Sequence, residues 1–352
     1  MTHSSGLSSP YTTSSNPGVA GMLAPLQDFL DDDRVSEILI NKPQEVFVER
    51  EGRMIRFDLP VLTPKYLHRL FGLMANENGQ VLSEKQPLLS GSLPDGSRIQ
   101  LCLPPVTAHE TLSIRKFVVQ DLSFQDYENQ GFFESTQAVD LQNDAIEISD
   151  EVLCALYHEK KWSAFIQQAI RLKKNIVICG GTALGKTTFL NTCVGCIPVH
   201  ERLVILEDTY EIKVPHANVV RLKTVKNTAH HQTPVTMQTL VQTSLRLRPD
   251  RLIMGEIRGQ EIFDFVSSCS TGHQRSVVTL HANSPKSAFM RMAQLYKLNN
   301  VPSMLDADID KELHEIIDVV VQLGRLNTHR RLTQVYYKQA HKQAFKEFKH
   351  AS

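Results

Sequence analysis

Nowhere does this 352-residue chain approach the run of about 18 apolar residues that a membrane-spanning helix requires. Nor does its N-terminus carry a basic region followed by an apolar core, so no secretory signal is expected. Charge of one sign is also lacking. Lysine plus arginine number 38 and aspartate plus glutamate 38, which removes any bulk electrostatic argument for a nucleic-acid partner. A zinc ribbon is excluded by the cysteines: Cys102, Cys154, Cys179, Cys193, Cys196 and Cys269 contain one C-x-x-C pair and no second. Cys193 and Cys196 are expected one turn apart on a helix as free buried thiols, which suits a reducing, cytoplasmic compartment. The 41% apolar content is ordinary for a soluble globular protein, and the length points to two domains.

What the chain does carry is Gly180-Gly181-Thr182-Ala183-Leu184-Gly185-Lys186-Thr187-Thr188, a match to G-x-x-x-x-G-K-[ST]. Asn175-Ile176-Val177-Ile178-Cys179 before it reads as a buried strand, and Thr188-Phe189-Leu190-Asn191-Thr192 after it continues as a helix. Strand, glycine turn and helix are the context that phosphate binding needs. Glycines let backbone N–H groups turn towards phosphate oxygens, and the helix N-terminus adds partial positive charge. In that reading Lys186 reaches the β- and γ-phosphates of ATP and the Thr187 hydroxyl ligates Mg²⁺.

The patterning divides the chain. Residues 1–22 are expected to be disordered, with the Ser-, Thr-, Pro- and Gly-rich stretch 1–20 as the reason. Residues 23–120 read as an α+β domain. Its strands are Val35–Ile40, Glu45–Glu49, Met54–Phe57, Arg98–Leu103 and Thr111–Lys116, with a helix from Thr63-Pro64 to Met74. A linker over 121–148 follows. In 149–337 helix and strand patterns alternate, as in a parallel sheet covered by helices. The class is therefore α/β: an N-terminal α+β domain ahead of a P-loop domain with a mainly parallel sheet. Four apolar strands in the second domain end in polar residues: Ile176–Cys179 before the loop, Leu203–Leu206 before Glu207-Asp208, Leu252–Met254 before Gly255-Glu256, and Val277–Leu280 before His281. Ligands sit beyond the carboxyl ends of such strands. If the four are neighbours, one crevice gathers a lysine, three carboxylates and a histidine.

Each acid has a candidate role there. Glu207 can orient or deprotonate the water that attacks the γ-phosphate, with Glu211 in support. Glu256 can hold Mg²⁺ through water or polarise the attacking water, and Gly255 is expected to permit close backbone approach. Asp250, ahead of its strand, is expected to be structural. Arg258 is either a phosphate sensor or the partner of a nearby acid. His273 and His281 lie eight residues apart, not at the helical i, i+4 spacing of a metal site. His281 at a strand end is better suited to hydrogen-bonding the γ-phosphate.

Taken in order, Gly180–Thr188, Glu207–Glu211, Arg246–Arg258 and Thr271–Asn283 resemble the Walker A loop, Asp box, atypical Walker B and His box of the hexameric secretion ATPases. These are a RecA-like branch of the P-loop enzymes. Glu37–Asn41, Val46–Arg50, Leu93–Gln100, Ser113–Lys116 and Ile317–Leu323 resemble the type IV secretion members in particular. The likeness covers roughly Leu23 to Tyr337. It implies an ATPase forming a homohexamer on the cytoplasmic face of a bacterial inner membrane, beside other secretion-system components, with contact to the DNA or protein substrate being indirect. It also favours Arg115 as a residue that reaches the nucleotide from the first domain, and secondarily Arg98. The residues alone are equally satisfied by a salt bridge within that domain's sheet. A pilus-retraction or type II secretion motor, or a nucleic-acid translocase, are the alternatives.

There are departures from the family pattern. Ala183 and Leu184 stand where Gly and Ser are usual, and Arg275 replaces a common glycine. Alanine is expected at 183 only with negative φ. The tail 338–352 carries Lys338, Lys342, Lys346 and Lys349 near Tyr336, Tyr337, Phe345 and Phe348. If helical, it could lie on anionic lipid as a peripheral membrane contact.

Overall fold

The computed structural model describes residues 17–117, 124–129, 134, 148–226, 234–270, 275–299, 304–327 and 329–340. Residues 1–16, His273 and the tail from 341 onwards, including Lys342, Lys346 and Lys349, lie outside them. Two compact units are present. One comprises Met1–Val118, Val220–Thr236 and Arg246–Arg248, and the other Val119–Val219, Met237–Leu245 and Pro249–Ser352. No helix among the described residues is long and apolar enough to cross a membrane.

The first unit runs α1 (Pro17–Leu23), α2 (Gln27–Asp31), β1 (Val35–Ile40), β2 (Glu45–Arg50), β3 (Arg53–Asp58), α3 (Pro64–Glu77), β4 (Leu88–Ser92), β5 (Arg98–Cys102) and β6 (Thr111–Arg115). Its six strands form one sheet ordered β3-β2-β1-β6-β5-β4, with all neighbours antiparallel. Thr63 caps α3 by accepting from the Tyr66 N–H at 3.2 Å, and Pro64 occupies the first turn. The helix places Leu67, Leu70, Phe71 and Met74 in one core with Ile38, Ile40, Val46 and Val48.

Helix α1 begins inside the stretch expected to be disordered. Val19 is buried in the same core, and the Tyr66 hydroxyl donates to the Met22 carbonyl at 2.6 Å. A short apolar sequence is ordered here by tertiary burial, which local composition does not report. Strand β4 was not anticipated either. Its Ser-Gly-Ser end has little apolar patterning, and pairing with β5 makes it a strand. Two segments from within 149–337 also belong to this unit. The Lys223 N–H donates to the Val106 carbonyl at 2.8 Å, and Arg248 pairs with Glu49 at 2.9 Å.

The stretch expected as a linker contains α4 (Phe124–Asn129). The second unit continues with α5 (Ile148–His158), α6 (Trp162–Arg171), β7 (Ile176–Gly180), α7 (Lys186–Gly195), β8 (Leu203–Glu207), α8 (Met237–Ser244), β10 (Arg251–Ile257), α9 (Glu261–Ser270), β11 (Val277–Leu280), α10 (Pro285–Tyr296), α11 (Asp306–Ile316), β12 (Val319–Leu326) and β13 (His329–Tyr337), while β9 (Val219–Lys223), between β8 and α8 in the chain, belongs from Val220 onwards to the first unit. The strands of this unit follow the order β13-β12-β7-β11-β10-β8. Strands β12, β7, β11, β10 and β8 are mutually parallel, while β13 folds back antiparallel on β12. Phe165 and Ile166 of α6 and Leu190 and Val194 of α7 share a core with Ile176, Ile178, Leu203 and Ile205. The four polar-ended strands are thus neighbours, as the crevice requires.

The beginning of the basic tail is part of this fold. The Tyr337 hydroxyl donates to Asp150 Oδ1 at 2.9 Å in the interior, and Tyr336 sets its ring edge-on to Phe289. Lys338 Nζ donates to the Glu315 carbonyl at 2.7 Å and pairs with Asp318 at 3.1 Å. These three residues are therefore not available as lipid-facing groups. Strand pairing that extends to the end of β13 overrides the amphipathic reading of this end of the tail.

Candidate active site

The phosphate loop leaves the buried strand β7 at Gly180 and enters α7 at Lys186. Gly180 has little room, since an added methyl would meet the Leu323 carbonyl oxygen at 3.0 Å. Gly185 stands at the helix N-cap in the left-handed region, with φ of 84°. Ala183 shares that region at φ 61°, which overturns the expectation of a negative φ. The loop's closure dictates the backbone here, and the residue carries the strain. Leu184 packs its side chain against the core that contains Leu323, an apolar anchor where a hydroxyl is usual. Thr182, Ala183 and Thr188 are exposed, while Gly181 and Thr187 are half-buried.

Arg275 adopts a φ of 104°, which explains why glycine is common at that position. Asn175 offsets the strain. Its side-chain oxygen accepts from the Arg275 N–H at 2.8 Å and the Ser276 N–H at 3.1 Å, at the entry to β11.

Register aligns the strand ends. Leu280 pairs with Cys179, so His281 emerges beside the phosphate loop. Met254 pairs with Leu206, which brings Glu256 towards Glu207-Asp208. Between Met254 and Ile257, β10 carries one residue more than β11, a bulge that re-aims the Glu256 side chain. The Thr279 hydroxyl donates to the Gly255 carbonyl at 2.5 Å and fixes the bulge. A methyl added to Gly255 would sit 3.5 Å from the Leu206 carbonyl oxygen, an ordinary contact, so packing within the chain does not itself demand glycine here.

A chain of charged groups results. Lys186, which is buried, points its ammonium at the carbonyls of Gly180 (3.0 Å) and Gly181 (3.1 Å). The same Nζ lies 3.3 Å and 3.4 Å from the two ring nitrogens of His281. His281 Nε2 is 2.9 Å from Glu256 Oε1. Glu256 Oε2 accepts from Arg258 at 2.5 Å, and the other arm of Arg258 reaches Asp208 at 2.7 Å. Burial lowers the Lys186 pKa, opposed by the negative charge of Glu256. The hydrogen bond to Glu256 raises that of Arg258.

Asp208 and Arg258 thus join the site as an ion pair, with Arg258 the partner of two nearby acids. Glu207 is placed differently from the others. Its Oε1 accepts from the Glu211 and Ile212 N–H groups, both at 2.7 Å, so this carboxylate braces the turn after β8. Asp250 is structural, as expected: its Oδ2 accepts from the Arg202 N–H at 2.8 Å. Arg115 lies in the first unit on β6, with Nε 3.1 Å from Glu37 Oε1 and its side chain 63% exposed. Arg248 Nε also approaches Glu37 Oε1, at 3.7 Å. Among the described residues no cluster of three or more His, Cys, Asp or Glu side chains could hold a metal by itself. Mg²⁺ asks few side-chain donors of a protein, since it keeps most of its ligands as water and phosphate.

Comparison with known proteins places the chain in a family. Residues 139–350 match the family described as type II/IV secretion system protein. Type IV secretion system protein VirB11 of Bartonella henselae is 33% identical over 326 residues, covering 90% of this chain and 91% of that protein. VirB11 of Brucella suis is 33% identical over 323 residues, covering 90% and 89% respectively. The crystal structure of the VirB11 ATPase from the Brucella suis type IV secretion system in complex with sulphate superposes with a TM-score of 0.86 at 31% identity. It covers 93% of this chain and 99% of that one.

Proposed function

The chain belongs to the type II/IV secretion system protein family as an ATPase of type IV secretion, and on that premise we propose that it is a homohexameric motor whose hydrolytic centre is the linked set Lys186, His281, Glu256, Arg258 and Asp208. The observation that carries this reading is the continuity of that set across the ends of three adjacent strands and the phosphate loop. Gly180 to Thr188 cradle the phosphates of ATP. Lys186 exchanges its loop carbonyls for the β- and γ-phosphates, where its positive charge is stabilising. Thr187 and, through water, Glu256 would hold Mg²⁺, which when bound would supply positive charge to neutralise that developing on the phosphates.

Glu256 polarises the attacking water, with His281 beside it to hydrogen-bond the γ-phosphate. Arg258 steers Glu256 and is released from it as the nucleotide enters. Glu207 shapes the turn behind the water instead of taking its proton. Arg115 leaves Glu37 to contact the nucleotide, which couples hydrolysis to movement of rigid bodies. The motor works at the cytoplasmic face of an inner membrane with other secretion components, and it contacts the transported DNA or protein indirectly.

Steady-state and single-turnover hydrolysis test the centre. Lys186→Ala should abolish hydrolysis and weaken ATP binding. Glu256→Gln should bind ATP normally and turn it over about a hundredfold or more slowly. Normal turnover by the glutamine variant would remove Glu256 from the chemistry.

A further inference from the structure

The sheet order places β12 and β13 on one flank of β7, and β11 and β10 on the other. Lys186, His281 and Glu256 put the γ-phosphate on the β11–β10 side. A nucleotide laid across the loop then directs its nucleoside end towards β12 and β13. Strand β12 runs parallel to β7 with Leu323 level with Gly180, so Gly324 and Arg325 project past the carboxyl end of β7, the side on which ligands bind. Strand β13 returns from there with Arg330 opposite Arg325 and Arg331 opposite Gly324.

Arg330 lies against the phosphate loop itself. A methyl placed on Gly185 would meet its Nη1 at 3.4 Å and its Cδ at 3.5 Å. The loop is tied to this hairpin a second time, because Leu184 packs on the core that holds Leu323 and also receives Leu332. Arg325 and Arg330 are both exposed and face one another in register. Among the described residues no carboxylate pairs with either. Like charges directly opposite on neighbouring strands repel, and an anion between or beside them relieves the repulsion.

We propose that Arg330, seconded by Arg325, binds the α-phosphate of the nucleotide from the β12–β13 side. Lys186 then serves the β- and γ-phosphates and the hairpin serves the nucleoside end. The assignment rests on the placement of the γ-phosphate at Lys186. It gives the hairpin a role in affinity, distinct from turnover, and makes both ATP and ADP its ligands.

Titration of the full chain with fluorescent ATP and ADP analogues tests this, together with hydrolysis kinetics. Arg330→Gln should weaken ATP and ADP alike, by about tenfold, the scale of one hydrogen bond to a charged group. KM should rise in step while kcat at saturating ATP stays within about twofold. Arg330→Lys, which keeps the charge, should recover most of the affinity. The gap between Arg330→Gln and the unaltered protein should shrink as salt rises from about 0.05 to about 0.5 M. Unchanged affinity in Arg330→Gln would overturn the proposal, as would a loss for ATP but not ADP. A lysine variant as weak as the glutamine one would assign Arg330 to loop packing instead. Lys186→Ala run in parallel separates the two readings: if it too binds ATP normally, the placement of the γ-phosphate is what fails.

Discussion

Replacing Ala183 by glycine should stabilise the ATPase unit, and the sign of the effect is the informative quantity. Ala183 has a φ of 61°, in the left-handed region. An L-residue with a Cβ there costs about 1–2 kcal/mol relative to the right-handed basin. Glycine removes that cost but adds unfolded-state freedom worth about 0.4–1 kcal/mol. The balance is a gain of about 0.5–1 kcal/mol. Ala183 is exposed, so little packing is lost on removing its methyl. Were φ negative, the same substitution would destabilise by about 0.5–1 kcal/mol. Urea unfolding of the full chain measures this, following the transition that added ATP moves to higher urea. With a slope of about 2 kcal/mol per molar, the midpoint should rise by about 0.25–0.5 M. A lower midpoint would refute the left-handed loop.

Mixing Arg115→Ala with Lys186→Ala subunits should restore part of the hydrolysis if Arg115 acts on a neighbouring subunit, since some interfaces then combine an intact loop with an intact arginine. No recovery in verified mixed hexamers would count against action between subunits. Burial pushes the thiols of Cys179, Cys193 and Cys269 up to about 12, while Cys196 alone of the six is partly exposed. A thiol reagent at pH 8 should therefore titrate one fast group per native chain and all six after denaturation. Tyr337→Phe should cost about 1.5–3 kcal/mol in urea unfolding, because it removes a buried hydrogen bond to the Asp150 carboxylate. A chain ending at Ala340 keeps β13 and Lys338 in place, so reduced liposome co-sedimentation of that truncation would locate lipid contact in the last twelve residues; unchanged binding would place it elsewhere.

Much of the site is written in local sequence. Gly180 to Thr188 is legible because phosphate binding demands glycines, a lysine and a hydroxyl at fixed spacing between a strand and a helix. The apolar runs that end at Glu207, Glu256 and His281 are legible because a strand buried on both faces admits no other composition, and the polar residue marks where it leaves the core. The same logic yielded β1, β2, β5, β6 and the capped helix α3. The resemblance to secretion ATPases rested on these pieces and on their order.

Other features depend on contacts between residues distant in the chain. Helix α1 exists because Val19 and Met22 meet a core built from later strands. Val220–Thr236 and Arg246–Arg248 join the first unit for the same kind of reason, through Val106, Glu37 and Glu49. The left-handed φ of Ala183 and the positive φ of Arg275 run against local preference. Arg258 between Glu256 and Asp208, Glu207 turned to backbone N–H groups, and Arg330 over Gly185 all follow from strand order and register. Spacing along a chain fixes which chemistry a segment can perform, because the local backbone carries it. Which charges share that chemistry is decided only when non-local pairing brings the strand ends together.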